Sequence, residues 1–288
     1  MLRKLKPSPA MAVAVCALFL ALAGSAVAAG IVPLAKRALS ADNAKLLVSG
    51  RADFAVMDIS DFGIARERGL DLVPIAAIVQ LPLASVIARD PNEIRTPADL
   101  AGKTVGVTGV PSDDAVLDTV LRAGGVDPSS VHRVTIGFNA VADLAAGKVD
   151  AATAFWNAEG IALERLGIPI RVFRVDDYGA PRYPELVLVT SSDQLSREPA
   201  LVQALVRATR EGEAFVVAHP SAALDDLLGA TSGLDREEQR AQLHALLRAH
   251  AFDTREGFDS RTLTALGQWD FEHGIVDHPI DLSAAFPG

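Results

Sequence analysis

Sulfur and large aromatic side chains are scarce in this 288-residue chain, which has one cysteine, Cys16, two tryptophans and two tyrosines. A single thiol cannot form a disulfide within the chain, so the fold rests on its core alone. The six histidines lack the His-Glu-x-x-His spacing and any cysteine-paired spacing, which argues against a dedicated metal site. Gly-x-Ser-x-Gly, the phosphate-binding P-loop and the dinucleotide glycine fingerprint are also missing, so hydrolase, NTPase and dehydrogenase readings lack their usual parts. Acidic residues outnumber basic ones 36 to 27. Binding a phosphate backbone needs clustered lysine and arginine, so the charge balance argues against nucleic acid as a partner.

What is present begins with "MLRKLKPSPAMAVAVCALFLALAGSAVAAG", a basic start, an apolar run and then small residues. The run is short for a span of about 20 residues, and Ala26-Val27-Ala28 offers the small side chains a signal peptidase inspects. Residues 1–29 therefore read as an export signal cleaved near Ala28 or Ala29, with an uncleaved anchor as the alternative, and the mature protein is expected to be periplasmic or extracytoplasmic. Removing them, with three basic and no acidic side chains, takes the net charge from −9 to −12 and removes the only thiol. Cys16 lies inside the apolar run after Val15, a poor context for lipidation. The length suits one large or two medium domains, and a 22% charged fraction suits a soluble globular protein.

A weak internal repeat organises the rest. "AKLLVSGRADFAVMD" (44–58) and "VADLAAGKVDAATAF" (141–155) each run from an apolar helical pattern through Gly, a basic residue and Asp into a strand, with Asp53 and Asp150 97 positions apart. Gly50 and Gly147 suit the left-handed residue that ends a helix. Two α/β units follow, each with a helix feeding a buried parallel strand. Between them, Thr96 and Pro97 start a short helix, "TVGVT" (104–108) reads as a strand, and "PSDDAVLDTVLRAGG" as a helix capped by Ser112. "HRVTIGF", "IPIRVFRV" and "ELVLVTSS" are further strands, and residues 199–251 are helical apart from breaks at Pro220 and at 229–233. Ligands of open parallel sheets bind beyond the carboxyl ends of the strands. "MDISDFG" and "FWNAEG" leave equivalent strands at equivalent ends, so the two segments line one cleft if the units face each other.

The runs "GRADFAVMD", "IRTPADLAGKTVGV", "AAGKVDAATAFWNAEG" and "VDDYGAPRYPELVL" resemble the solute-binding proteins of ABC importers, in the branch that includes binders of thiamine pyrimidine precursors and relatives for sulfonates, nitrate or riboflavin. The resemblance covers residues 41–286. It implies an α/β fold of the type II periplasmic-binding kind, two lobes that are each a mostly parallel sheet flanked by helices. Lobe one would be residues 31–85 plus 186–288, lobe two residues 86–185, with crossings in "LPLASVIA" and "PELVLVT". It also implies a monomer that delivers a small heterocycle to a membrane permease, with no cofactor and no chemistry. In that family a longer segment precedes the match to "NAKLLVSGRAD". Here only residues 30–42 intervene, so either the start is truncated or lobe one lacks its opening strand, which would leave an apolar edge and part of the pocket missing.

The residues themselves suggest a recognition set. Phe155 and Trp156 point to opposite faces if the strand persists, so one of them faces the cleft and the other is core; an indole past the strand end could stack on a flat ring. Asn157 offers both a donor and an acceptor. Glu159 could accept from an exocyclic amine or simply favour a helix start, and the resemblance implies the former role, holding an aminopyrimidine. Thr108, Ser112 and Asp113 occupy a strand-to-helix loop whose acids, Asp113 and Asp114, oppose an anion there. Asp58, Asp61 and Gln80 lie at the mouth of lobe one, while Tyr178, Tyr183 and Glu185 flank the second crossing as walls or packing. An enzyme that makes the pyrimidine is a rival on the same fold, but the resemblance implies a cysteine-rich motif for it. A sulfonate or nitrate binder and a non-binding paralogue are also compatible with these residues.

Overall fold

The structure, a computed structural model, describes residues 40–252 and 259–283, so the segment read as an export signal falls outside it. The chain opens with α1 (Ser40–Val48), β1 (Phe54–Asp58), α2 (Ile59–Glu67) and β2 (Leu72–Val79). It crosses at Gln80–Leu83 into β3 (Ala84–Arg89), a 3₁₀ turn (Pro97–Leu100), β4 (Thr104–Val107), α3 (Pro111–Ala123), β5 (His132–Thr135), α4 (Ala140–Ala145), β6 (Ala151–Phe155), α5 (Glu159–Arg165) and β7 (Ile170–Arg174). Besides a 3₁₀ turn at Pro128–Ser130 before β5, a third 3₁₀ turn (Val175–Tyr178) leads back to β8 (Leu186–Ser191), followed by α6 (Ser192–Arg197), α7 (Pro199–Ala218), α8 (Pro220–Ala230), α9 (Arg236–Arg248) and α10 (Ser260–Glu272).

The strands form two sheets, β1-β8-β2 and β5-β4-β6-β3-β7. The expected α/β architecture is present, but the sheets are mixed. In the larger sheet β4 runs parallel to β5 and β6, while β3 is antiparallel to β6 and β7. In the smaller one both β1 and β2 pair antiparallel with β8, so β1, expected among parallel neighbours, has none among the described residues. The cause is the crossing strand. Each sheet receives a strand from the other half, β3 or β8, which enters in the opposite direction between two of its own.

The sequence repeat appears as matching geometry. Gly50 and Gly147 end α1 and α4 with φ of 65° and 68°, a region that favours glycine. Strands β1 and β6 then run to their carboxyl ends at Asp58 and Phe155. The short helix at Thr96 is a 3₁₀ turn in which Asp99 accepts from the backbone N–H of Thr96 at 2.8 Å. One expectation fails: Ser112 does not cap α3. Pro111 takes the first helical position and Val110 the cap, without a side-chain hydrogen bond. Proline lacks an N–H and has φ suited to that first position, so the helix starts two residues earlier than a Ser112 cap would give.

The segment beyond residue 252 contains the 13-residue α10. Its Gly267 lies against the chain at Ile280, where an added Cβ would come 2.0 Å from the Ile280 carbonyl oxygen. Because that obstacle is backbone, Gly267→Ala must push α10 off the 280 segment. We expect it to destabilise the protein by about 1–3 kcal/mol, read as a lower midpoint in urea unfolding; an unchanged midpoint would refute this packing.

Candidate ligand cleft

The carboxyl ends of β1, β4 and β6 meet beside the two crossings, and carboxylates gather there. Asp58 ends β1 and caps α2, its Oδ1 accepting from the N–H of Ser60 at 2.8 Å and of Asp61 at 3.2 Å. Asp113, on the first turn of α3, accepts from the Thr108 N–H at 2.8 Å and the Thr153 hydroxyl at 2.9 Å. This folds the Thr108 loop back onto α3, while the Thr108 hydroxyl accepts from the Val110 N–H. Asp114 turns away to Arg133 at 2.6 Å. Glu159 opens α5 and accepts from the Phe155 N–H at 3.0 Å. Glu185 is 2% exposed and accepts from the Leu83 N–H at 2.6 Å.

These acids act on one another. Burial pushes the Glu159 carboxyl above its ordinary range, Asp113 and Glu238 add to the rise, and the N–H groups of Glu159 and Phe155 oppose it. Burial likewise raises Asp58 well above its usual value, with Glu185 and Asp61 adding repulsion. Glu185 is raised by burial too, against the hydrogen bonds it accepts from Asp58, Leu83 and Ala84, and Asp113 contributes repulsion. Asp58, Glu185, Asp113 and Glu159 thus form one acidic set spanning both halves.

The aromatic residues take more fixed positions. The Trp156 backbone N–H donates to the Leu83 carbonyl at 3.1 Å and its indole N–H to the Pro82 carbonyl at 3.0 Å. Arg174 covers its ring, 4.6 Å from the centroid. Phe155 and Trp156 pack against Val79, Leu81, Leu83, Val216, Leu243 and Leu246, so this strand end leans on the helices of the other half. Asn157 is 1% exposed, and its Oδ1 has no hydrogen-bond partner among the described residues. Tyr183 is buried with its ring 6.2 Å from Trp269, and burial together with Glu185, Asp58, Asp270 and Asp176 holds its hydroxyl well above the usual phenol range. Tyr178, in the 3₁₀ turn Val175–Tyr178, sits edge-on to Phe173 at 5.9 Å. Gln80 follows β2, its N–H donating to the Ala251 carbonyl at 2.8 Å. Ser112 stays on the second residue of α3, with no contact to the acidic set shown.

Sequence reasoning underrates three contributors. Glu185 there only flanks a crossing, although an acid between Pro184 and an apolar strand signals a buried carboxylate. Arg174 and Glu238 carry no local signal, because long-range packing brings them to Trp156 and Glu159. A separate open groove of about 490 Å³ lies at the opposite end of the smaller sheet, lined by Gly50, Asp53, Asp71, Gln194 and Arg197 among others, and contains none of the expected site residues. Among the described residues there is no cluster of three or more metal-ligating side chains and no helix long and apolar enough to cross a membrane.

Comparison with known proteins places this cleft in context. The NMT1/THI5-like family model matches residues 29–223, and the chain belongs to that family. A formylaminopyrimidine-binding protein of Halalkalibacterium halodurans is 30% identical over 252 residues, covering 85% of this chain and 76% of the relative. A 4-amino-5-hydroxymethyl-2-methylpyrimidine phosphate synthase of Legionella pneumophila is 24% identical over 255 residues, covering 85% and 77%. Among solved structures, the alkanesulfonate-binding protein SsuA of Xanthomonas axonopodis pv. citri, bound to MOPS, superposes with a TM-score of 0.71 at 18% identity, covering 96% of this chain and 95% of that one. The fold is therefore the two-lobed type II periplasmic-binding architecture.

Behind the crossings, Asp270 of α10 is 1% exposed; it accepts from the Ser60 hydroxyl at 3.1 Å through Oδ1, and its Oδ2 is unpartnered among the described residues. Burial raises its carboxyl to about 7, with Asp61 adding to the rise and the Ser60 bond opposing it. A raised carboxyl favours the folded state fully at low pH, and that advantage is lost as pH climbs from about 4 toward 7. Asp270→Asn should flatten this slope and raise stability at pH 8 by a few kcal/mol, measured by urea unfolding at pH 5 and pH 8. Equal pH slopes in the two proteins would contradict it.

Proposed function

We propose that this chain is the solute-binding component of an ABC importer and takes a thiamine pyrimidine precursor into the cleft between its two halves. The observation that carries the reading is the acidic set at the strand ends, in a chain 30% identical to a formylaminopyrimidine-binding protein. An aminopyrimidine presents amine donors on a flat ring, and carboxylates accepting from them make charge-assisted hydrogen bonds. Glu159, poised between Asp113 and the Phe155 N–H, is the main acceptor. Asn157 brings an unpaired buried oxygen to the same loop, and a donor on the ligand could satisfy it. Asp58, Thr108, Asp113 and Gln80 form the opposing polar wall, with Phe155, Trp156, Tyr178 and Tyr183 as the apolar surround and Ser112 at the margin. The lobes divide at residues 85 and 186, and closure removes the ligand from water.

In this reading the protein acts outside the cytoplasm after loss of residues 1–29, as a monomer that hands its ligand to a membrane permease. The pyrimidine phosphate synthase of Legionella pneumophila keeps an enzyme on the same fold in view. Against that role stands the single cysteine at position 16, inside the export segment. A protein that only binds should leave the pyrimidine unchanged.

Titration calorimetry with formylaminopyrimidine should show saturable binding to the wild-type protein and a rise in melting temperature that grows with ligand concentration. Glu159→Gln should lower affinity by about 10- to 100-fold, the range for one hydrogen bond to a charged group, while melting without ligand at an equal or higher temperature. No heat and no shift at millimolar ligand would reject the reading. Recovery of an altered pyrimidine would favour the enzyme instead.

A further inference from the structure

The indole of Trp156 is held at its edge and on its face. Its N–H donates to the Pro82 carbonyl at 3.0 Å, and the guanidinium carbon of Arg174 stands 4.6 Å from the ring centroid. The sheet register brings these two residues together. Ala154, Ser85 and Arg174 form one row across β6, β3 and β7, and the side chains of such a row leave the same face. The Trp156 N–H donates to the Leu83 carbonyl, which carries the ladder past Phe155 and returns Trp156 to the face of Ala154. Arg174 is the last residue of β7, so its long side chain reaches past the strand end onto the ring. Asp176 holds it there: one carboxylate oxygen accepts from the Arg174 Nε at 3.4 Å and the other from a terminal guanidinium nitrogen at 3.3 Å. The two side chains are 27% and 11% exposed, so salt and water weaken the pair less than they would on the open surface.

We propose that Arg174 is the positioning residue of the recognition turn: it fixes the Trp156 ring, and through the ring it fixes Asn157 and Glu159. The inference rests on the proposed function for its ligand. Trp156 opens the turn, the Ala158 N–H closes it onto the Phe155 carbonyl at 3.2 Å, and Glu159 accepts from the Phe155 N–H at 3.0 Å. Only Asn157 and Ala158 lie between the indole and the Glu159 carboxylate, so a rotation of the ring carries the recognition groups with it. Arginine suits the task because its planar ion covers an electron-rich ring face while its fork meets both oxygens of Asp176, which an ammonium cannot do. The same contacts reach further. Asp176 belongs to the 3₁₀ turn that leads back to β8, and Pro82 belongs to the first crossing, so Asp176, Arg174, Trp156 and Pro82 join both connections between the halves by way of the recognition turn.

The test takes Trp269→Phe as its reference protein. The Trp269 indole N–H has no partner among the described residues, so phenylalanine forfeits no hydrogen bond there, and of the two tryptophans only Trp156 remains to report. In this background Arg174→Met removes the cation and keeps an unbranched side chain, while Arg174→Lys restores the charge without the fork. Time-resolved fluorescence anisotropy of the ligand-free proteins should show the indole turning only with the whole molecule in the reference, gaining a fast local rotation in Arg174→Met and recovering part of its rigidity in Arg174→Lys. Affinity for formylaminopyrimidine, measured by titration calorimetry, should fall by about 2- to 30-fold in Arg174→Met, the factor that a cation over an indole supplies, and by less in Arg174→Lys. Urea midpoints measured alongside separate positioning from a general loss of stability, which would leave the local rotation of the ring unchanged. Should Arg174→Met not fold, Asp176→Asn takes its place, since it leaves the guanidinium but loosens its hold and should free the ring in the same direction. An anisotropy decay identical to the reference overturns the inference, and so does an unchanged affinity beside a freed ring; both leave the ligand reading standing. If formylaminopyrimidine binds none of these proteins although Arg174→Met frees the ring, the ligand reading falls and Arg174 stands as the residue that positions the turn.

Discussion

The dipeptide Pro82-Leu83 is gripped from both sides, and the arrangement of the two halves depends on that grip. Its carbonyls accept the indole and backbone N–H groups of Trp156 from the larger half, and the Leu83 N–H is held by Glu185 at 2.6 Å. Strand β3 begins one residue later, in register with β6 through Ala84↔Phe155. A shift of one residue at this point would invert the faces of β3, placing its buried Val86 and Ala88 on the wrong side of the sheet. These backbone and side-chain contacts therefore set where the cleft opens and how far Phe155 to Glu159 reach into it.

The two halves are variations on one unit that, among the described residues, carry different numbers of strands. The order β5-β4-β6-β3-β7 places parallel β4 on one side of β6 and antiparallel β3 on the other, whereas the equivalent strand β1 has only β8 as a neighbour among the described residues. On its other side the Asn43 amide donates to the Val56 carbonyl at 2.7 Å, covering one of the edge groups that a further strand would otherwise satisfy. The polar contribution of the smaller half to the cleft thus comes mainly from the β1 end, Asp58, and from the crossing residues. The larger half supplies the ends of both β4 and β6, which explains why Asp113 and Glu159 lie on that side.

Much of this is readable in the sequence where local chemistry decides. Gly50 and Gly147 announce matching helix ends, the Thr96-Pro97 start and the helices of residues 199–251 are found, and Asp58 and Phe155 are equivalent strand ends. The misses share a cause. Strand direction in the smaller sheet depends on β8 arriving from more than a hundred residues away, and no periodicity within β1 reports that. The cap of α3 falls to Val110 because proline's preference outweighs that of Ser112. Trp156 looks like a free platform because its spacing says nothing of Pro82 or Arg174, both remote in sequence. The scarcity of large aromatics is itself a signal: Trp156, Tyr178, Tyr183 and Trp269 all lie in or behind the segments that join the halves, where broad side chains fill the space between packed units.

The fold alone does not determine what the cleft accepts. A protein bound to MOPS, a sulfonate, superposes on this chain along nearly its whole length, yet here the matching region gathers Asp58, Asp113, Glu159 and Glu185. Burial raises three of these carboxyls, Asp58, Glu159 and Glu185, because the surroundings disfavour negative charge there, and an anion placed among them would meet the same penalty. At the start of α3, where a helix end would attract an anion, Asp113 already occupies the first turn and accepts from the Thr108 N–H and the Thr153 hydroxyl. Within one architecture the side chains at the strand ends can differ in chemistry, and the donor-rich ring of the proposed function is the kind of guest that this acidic set suits.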